Sequence, residues 1–138
     1  MIRHKYTKIV IVVLSAITFS SCSTSAKRID RVFTVAAPAS KAWQVIGEDF
    51  ASVDQWATAI PKSSPIGSDG SITGRSCISP LGELKETITE YDPNRYAIAY
   101  RAQSDKIPGF VEELSNRWLI SPISETKAQV QMSMNAEI

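Results

Sequence analysis

The chain has 138 residues, 43% of them hydrophobic, with 15 Lys and Arg against 14 Asp and Glu and a formal net charge of +1. That length fits a single domain behind any leader segment. The near-neutral balance lacks the basic footprint of a nucleic-acid-binding protein.

The N-terminus carries the first signal. Arg3, Lys5 and Lys8 precede an apolar run from Ile9 to Phe19, which ends on Ser20, Ser21 and Cys22. A membrane-spanning helix needs about 20 apolar residues, so this run is too short. A charged start, a short apolar centre and small residues at its end describe a secretory leader over residues 1–21. Phe19-Ser20-Ser21-Cys22 resembles the bacterial lipobox, with Phe19 in place of the usual leucine. The resemblance implies cleavage before Cys22, diacylation of its sulfur, and a protein held on the bacterial cell envelope. Two acyl chains anchor stably where one does not. Ser23 rather than Asp after the cysteine implies, in a Gram-negative cell, the outer membrane facing the periplasm. The alternative is ordinary cleavage near Ser21, which leaves a soluble secreted protein with a free thiol.

Residues 22–138, about 117 in number, then form the mature chain, long enough to bury a core without cross-links. Twelve Lys and Arg remain against fourteen Asp and Glu once Arg3, Lys5 and Lys8 are gone. The only histidine, His4, departs with the leader. The mature domain therefore cannot build a Ser-His-Asp or Cys-His nucleophile, nor a histidine metal site. Cys77 is the only thiol besides Cys22, so no internal disulfide and no structural zinc are expected. No metal or cofactor is expected, and any catalysis would fall to carboxylates, tyrosines, lysines or arginines. Gly67, Gly70 and Gly74 are spaced like turns rather than a phosphate loop.

Residues 22–28 read as a polar tether, ahead of one domain over 29–138. The alternation of residues 29–36 predicts a strand with Ile29, Arg31, Phe33 and Val35 on one mostly apolar face. Pro38 suits a first helical turn, and Ala39, Ala42, Trp43 and Ile46 form the stripe of a short helix that Gly47 ends. Val53, Trp56, Ala57 and Ile60 repeat the spacing, with Ser52 as N-cap and Pro61 as terminator. Strands are expected near 62–67 and over 71–79, joined at Asp69-Gly70. Ser79-Pro80-Leu81-Gly82 is a turn, and Asp92-Pro93-Asn94 splits the strands that follow it. Two more strands lie in residues 112–121 and 127–138, the last with perfect alternation and hence one wet and one dry face.

One strand, two short helices and about six antiparallel strands make an α+β pattern with a strongly bent sheet. Ala37-Pro38, Trp43, Trp56, Gly74-Arg75, Gly82, Glu86, Asp92-Pro93, Tyr100 and Pro108 stand in that pattern as they do in the SRPBCC superfamily. Over essentially all of residues 29–138 the chain resembles its START-like, polyketide cyclase/dehydrase-type branch. The resemblance implies a helix-grip fold, a curved antiparallel sheet wrapped round a long C-terminal helix with an apolar cavity between them. That helix would follow Ile138 and is missing from the pattern. Leaving even a few hundred Å² of the sheet uncovered would cost several kcal/mol at about 25 cal/mol per Å². A truncated sequence is the expectation, a covering partner the alternative.

Trp56, Tyr100 and Trp118 offer large apolar bodies with single polar handles, suited to a concave ligand site. Arg75 and Glu86, on strands joined by the Ser79–Gly82 turn, could orient a polar ligand end. Each aromatic could equally be core packing, and Arg75–Glu86 an exposed pair worth well under ~1 kcal/mol. Met132, Met134 and Cys77 read as packing. The favoured reading is a tethered binding module for a small hydrophobic molecule or lipid. The alternatives are a cyclase-like enzyme, with Glu86 or Tyr100 handling protons, and an interaction module whose open sheet face docks a partner.

Overall fold

The computed structural model describes residues 25–138. The leader and the first three residues of the expected tether, Cys22 to Thr24, lie outside the described residues. β1 (Ala26–Val35) begins three residues before the alternation suggested, so Ala26, Lys27 and Arg28 are strand rather than tether. It leads into α1 (Ala39–Trp43), a π turn (Gln44–Glu48) and a 3-10 segment (Phe50–Gln55). β2 (Lys62–Ser68), β3 (Ser71–Ser79), β4 (Gly82–Asp92), β5 (Ala97–Gln103), β6 (Glu113–Ser124) and β7 (Lys127–Glu137) follow. All seven strands pair antiparallel in the order β1-β7-β6-β5-β4-β3-β2. The expected α+β architecture of helix-grip type, with its curved antiparallel sheet, is therefore the one observed, and β7 is the last element described.

Turn chemistry sets the register. Asp69 and Gly70 take φ of 55° and 75°, the left-handed pair that a two-residue hairpin requires. Gly82 at φ 84° closes the β3–β4 turn, where Ser79 Oγ accepts from the Leu81 amide at 3.1 Å. Cross-strand rows then place side chains on the face turned toward the helical segments. Arg75, Glu86, Ala102, Leu114 and Ala136 form one row, and Ile88, Tyr100, Asn116, Met134 and Ile29 the next.

The helical segments depart from the sequence pattern. Gly47 does not end the first helix but lies inside the π turn, because the Trp43 ring occupies the space beside it. A Cβ at Gly47 would stand 2.4 Å from that ring. The second helix is not the expected Val53–Ile60 segment. A 3-10 turn forms earlier, and Ser52 sits inside it with φ −100° and ψ 30° rather than capping it. So short a helix cannot repay its own nucleation, and burial of Phe50 decides the local path instead. Trp43, Phe50, Ile98, Tyr100, Ile120, Ala128 and Val130 make the core, under α1 and at one half of the sheet. Leu114, Met132, Met134 and Ala136, toward the other half of the same face, are only half-buried, so the dry face of β7 is dry along part of its length.

Replacing Gly47 by Ala should destabilise the domain by about 1–3 kcal/mol, the usual cost of overpacking. A lowered urea midpoint with an unchanged slope would show it, and an unchanged midpoint would refute the tight contact with Trp43.

Candidate functional site

Arg75 on β3 and Glu86 on β4 are register partners, and both are 6% exposed. The guanidinium Nε donates to Glu86 Oε2 at 2.5 Å, and Nη1 donates to the Phe50 carbonyl at 2.8 Å. Its plane lies 3.9 Å from the Phe50 ring centre and 4.9 Å from that of Tyr100. Of the two readings of this pair, the exposed one is wrong: the residues meet in the interior. Cys77 Sγ, 3.6 Å from Glu86 Oε2, completes the polar cluster. Burial, reinforced by the Glu86 charge, pushes the Cys77 thiol up to about 11, which leaves it protonated and unreactive.

The aromatic residues converge on the same place. Tyr100 is 5% exposed, and its oxygen accepts from Trp118 Nε1 at 3.0 Å. Burial pushes the phenol up to about 12, so at neutral pH Tyr100 can donate a proton in a hydrogen bond but cannot act as a base. Trp56, 43% exposed, stands edge-on to Trp118 at 6.1 Å and so is not the core residue its helical spacing allowed. Trp43, by contrast, is core, packed against Tyr91 and Tyr96. All five residues singled out from the sequence thus lie in one connected cluster, Glu86 joining it through Arg75.

Two cavities border this cluster. One of about 250 Å³ is walled by Phe33 and Val35 of β1, Ala42, Val45 and Ile46 of the first helical segment, and Trp56, Trp118 and Val130. A void of about 10 Å³ lies among Ile46, Phe50, Trp56, Arg75, Tyr100 and Trp118. Ile46, Trp56 and Trp118 belong to both walls, so the apolar cavity ends against the polar cluster. Glu86 lines neither. A larger concavity among the described residues, about 660 Å³, lies elsewhere, beneath the 104–112 loop, and its wall mixes Glu83, Lys85, Asp105 and Glu113 with Ile107 and Leu114, a less apolar lining than that of the smaller cavity.

Phe33, Ile46 and Phe50 were not among the residues expected at the site. Phe33 was legible as the apolar face of β1, but nothing local marks Phe50, which falls between the two helical stripes. Asn116 was not expected at the site either. Its Oδ1 is buried without a partner among the described residues, one position across the sheet from Tyr100. No group of three or more His, Cys, Asp or Glu among the described residues could hold a metal.

Comparison with known proteins places this geometry. The family model described as "Polyketide cyclase / dehydrase and lipid transport" matches residues 26–138. The chain belongs to that family. Its fold is that of START-like proteins of known structure. An aromatase/cyclase from Streptomyces sp. R1128 superposes with a TM-score of 0.69 at 18% identity, over 81% of this chain and 68% of that one. Norcoclaurine synthase from Thalictrum flavum gives 0.70 at 19% identity, over 86% and 79%. A START superfamily protein from Mycobacterium smegmatis gives 0.65 at 17%, over 80% and 76%. No curated protein matches the chain.

Replacing Glu86 by Ala should cost about 3–5 kcal/mol by leaving Arg75 charged and unpaired in the interior. Changing both to apolar residues, Arg75→Met with Glu86→Leu, should recover most of that in denaturant unfolding. A small loss in the single variant would mean that water reaches the pair.

The raised Cys77 and Tyr100 values give the alkaline limb its sign. Both groups lose protons in the unfolded chain before they do in the folded one, Cys77 from its ordinary 9.0 and Tyr100 from 10.0. Their contribution is complete below pH 9 and is lost as the pH climbs toward 11 and 12. Thermal unfolding midpoints should therefore fall above pH 9, and less steeply in Cys77→Ala. Identical slopes in the two proteins would exclude the thiol.

Proposed function

We propose that this protein is an extracytoplasmic lipoprotein that holds or carries a small hydrophobic molecule in the cavity between β1, the first helical segment and Trp118. The observation that carries the reading is the 250 Å³ apolar cavity ending against a buried Arg–Glu–Tyr cluster. Such a site desolvates an apolar body while a few fixed polar groups meet one end of it. The family description names lipid transport beside cyclase and dehydrase chemistry, which supports a lipid-like cargo. Trp56 at the mouth and Trp118 in the wall supply the contact area. The Tyr100 hydroxyl, with its proton retained, and the Arg75 guanidinium are donors in the small void next to the cavity.

Binding is favoured over turnover by where the ionisable groups stand. Glu86 is engaged by Arg75 and Cys77 and has no surface in the cavity wall, and Tyr100 keeps its proton at neutral pH. Glu86 is therefore not placed to serve as the base of a cyclase-like reaction, and Tyr100 is left with hydrogen-bond donation. The short leader and the sequence Phe19-Ser20-Ser21-Cys22 support anchoring through acyl chains on Cys22. Ser23 supports the outer membrane, periplasmic side, of a Gram-negative cell.

Native mass spectrometry of the protein, drawn in mild detergent from the membranes of its own source, tests both halves. A diacylglyceryl mass on Cys22 with a retained apolar species is the expected result. An unmodified chain with nothing bound would sink the reading. With N-phenyl-1-naphthylamine as the probe, Trp118→Ala should weaken binding about tenfold or more, as loss of ~1.5–3 kcal/mol of apolar contact implies.

A further inference from the structure

The antiparallel register gathers several features at one end of the sheet. Ala26, where β1 begins, pairs with Glu137, and Glu137 with Glu113. Leu114 pairs with Ala102, Lys85 with Gln103, and Ser79 with Gly82. The start of β1 therefore shares its end of the sheet with two loop tips, Ser79–Gly82 and residues 104–112. Each tip projects an apolar side chain into solvent: Leu81 is 51% exposed and Phe110 64%, the most exposed large hydrophobic residue described.

These tips are built as one platform. Ser104 Oγ donates to the Leu81 carbonyl at 3.3 Å, and the Lys106 side chain lies against Gly82, where a Cβ would meet its Cγ at 3.0 Å. The Val111 amide donates to the Pro108 carbonyl at 2.9 Å, and the Glu112 amide ties the loop to Glu137 at 2.7 Å. Two supported apolar tips at one end of the sheet are what an interfacial contact requires, and leaving them in water has no compensating burial here.

Chain length names the surface they meet. From Cys22 to Ala26 is four residues, which reach at most about 14 Å when fully extended. An acylated Cys22 would thus hold this end of the sheet, and not the other, against its bilayer. We propose that the Leu81–Phe110 platform inserts into the interface of the phospholipid membrane that carries the acyl anchor. The inference rests on the anchoring reading above. Lys27, Arg28, Lys62, Lys85, Arg101 and Lys106 at this end stand against Glu83, Asp105, Glu112, Glu113 and Glu137, so the net charge there is near zero and the contact is mainly apolar and only weakly dependent on salt. Phe33, in the wall of the ligand cavity, lies seven residues along β1, roughly 23 Å from Ala26 at ~3.3 Å per residue. The domain then stands on its anchor with the cavity held away from the membrane.

The test uses the full acylated protein in phosphatidylethanolamine–phosphatidylglycerol vesicles, with acrylodan on Gly109→Cys or, at the opposite end, on Glu125→Cys. A Cβ at Gly109 meets nothing within 4 Å, and Cys77 at 1% exposure is closed to the dye. The dye at 109 should be blue-shifted and quenched by nitroxide lipids in both low and high salt, and the dye at 125 should not. Adding Leu81→Ser and Phe110→Ser should abolish the shift at 109. Equal emission at both sites, or a shift at 125 alone, overturns the proposal. The mass of Cys22 is read on the same sample. If it carries no acyl group, the anchoring reading falls, and vesicles are added to the soluble chain. A shift at 109 then preserves the platform as a membrane contact, whereas no shift ends it.

Discussion

The buried ion pair of Arg75 with Glu86 is the constraint around which the rest of the domain is arranged. A guanidinium and a carboxylate removed from water are tolerable only when each is paired and hydrogen-bonded. Here the pairing comes from β3–β4 register, which the tight turn at Ser79–Gly82 enforces. A second donor of Arg75 is taken by the Phe50 carbonyl, so the chain leaving the π turn must cross above the sheet. Phe50 and Tyr100, packed against each other with ring centres 5.1 Å apart, both border the guanidinium. Backbone path, core packing and the polar end of the cavity all follow from one charge pair that has to be satisfied.

That arrangement also separates polar from apolar chemistry within a few ångströms. Toward β3 and β4 the interior holds Arg75, Glu86 and Cys77; toward β1 and β7 buried Val130, half-buried Val35 and exposed Phe33 wall the apolar cavity. Tyr100 and Trp118, joined by a hydrogen bond, form the boundary. In the proposed carrier an apolar molecule fills the second region and turns any polar end toward the first. The proposed membrane platform at the start of β1 would set this cavity some distance above the bilayer. Lipid anchor, sheet and cargo site would then form one line, with the strand length as the spacer.

Where the sequence reading missed, long-range packing had overridden a local signal. Gly47 looked like a helix stop, yet it is needed where the Trp43 ring presses on the backbone. Val53, Trp56, Ala57 and Ile60 showed helical spacing, but Trp56 turns outward to the cavity mouth while Phe50, outside the stripe, turns in. Helical periodicity over so few residues carries little free energy, and one buried aromatic ring outweighs it.

The amino-acid sequence by itself determined the strand pattern, the turn positions and the superfamily, because alternation and Gly/Pro/Asp turn chemistry are local and act within a few residues. It also singled out Trp56, Arg75, Glu86, Tyr100 and Trp118 as site candidates, and it places its one histidine, His4, outside the domain over residues 29–138. Only the tertiary structure decided that Arg75 and Glu86 are buried rather than surface partners, since burial depends on Phe50 arriving from 25 residues away. It likewise decided the volume and apolar character of the cavity, whose walls come from β1, the helical segments, β6 and β7. No short stretch of sequence contains those distances, because they exist only once the strands have closed their register around the pair.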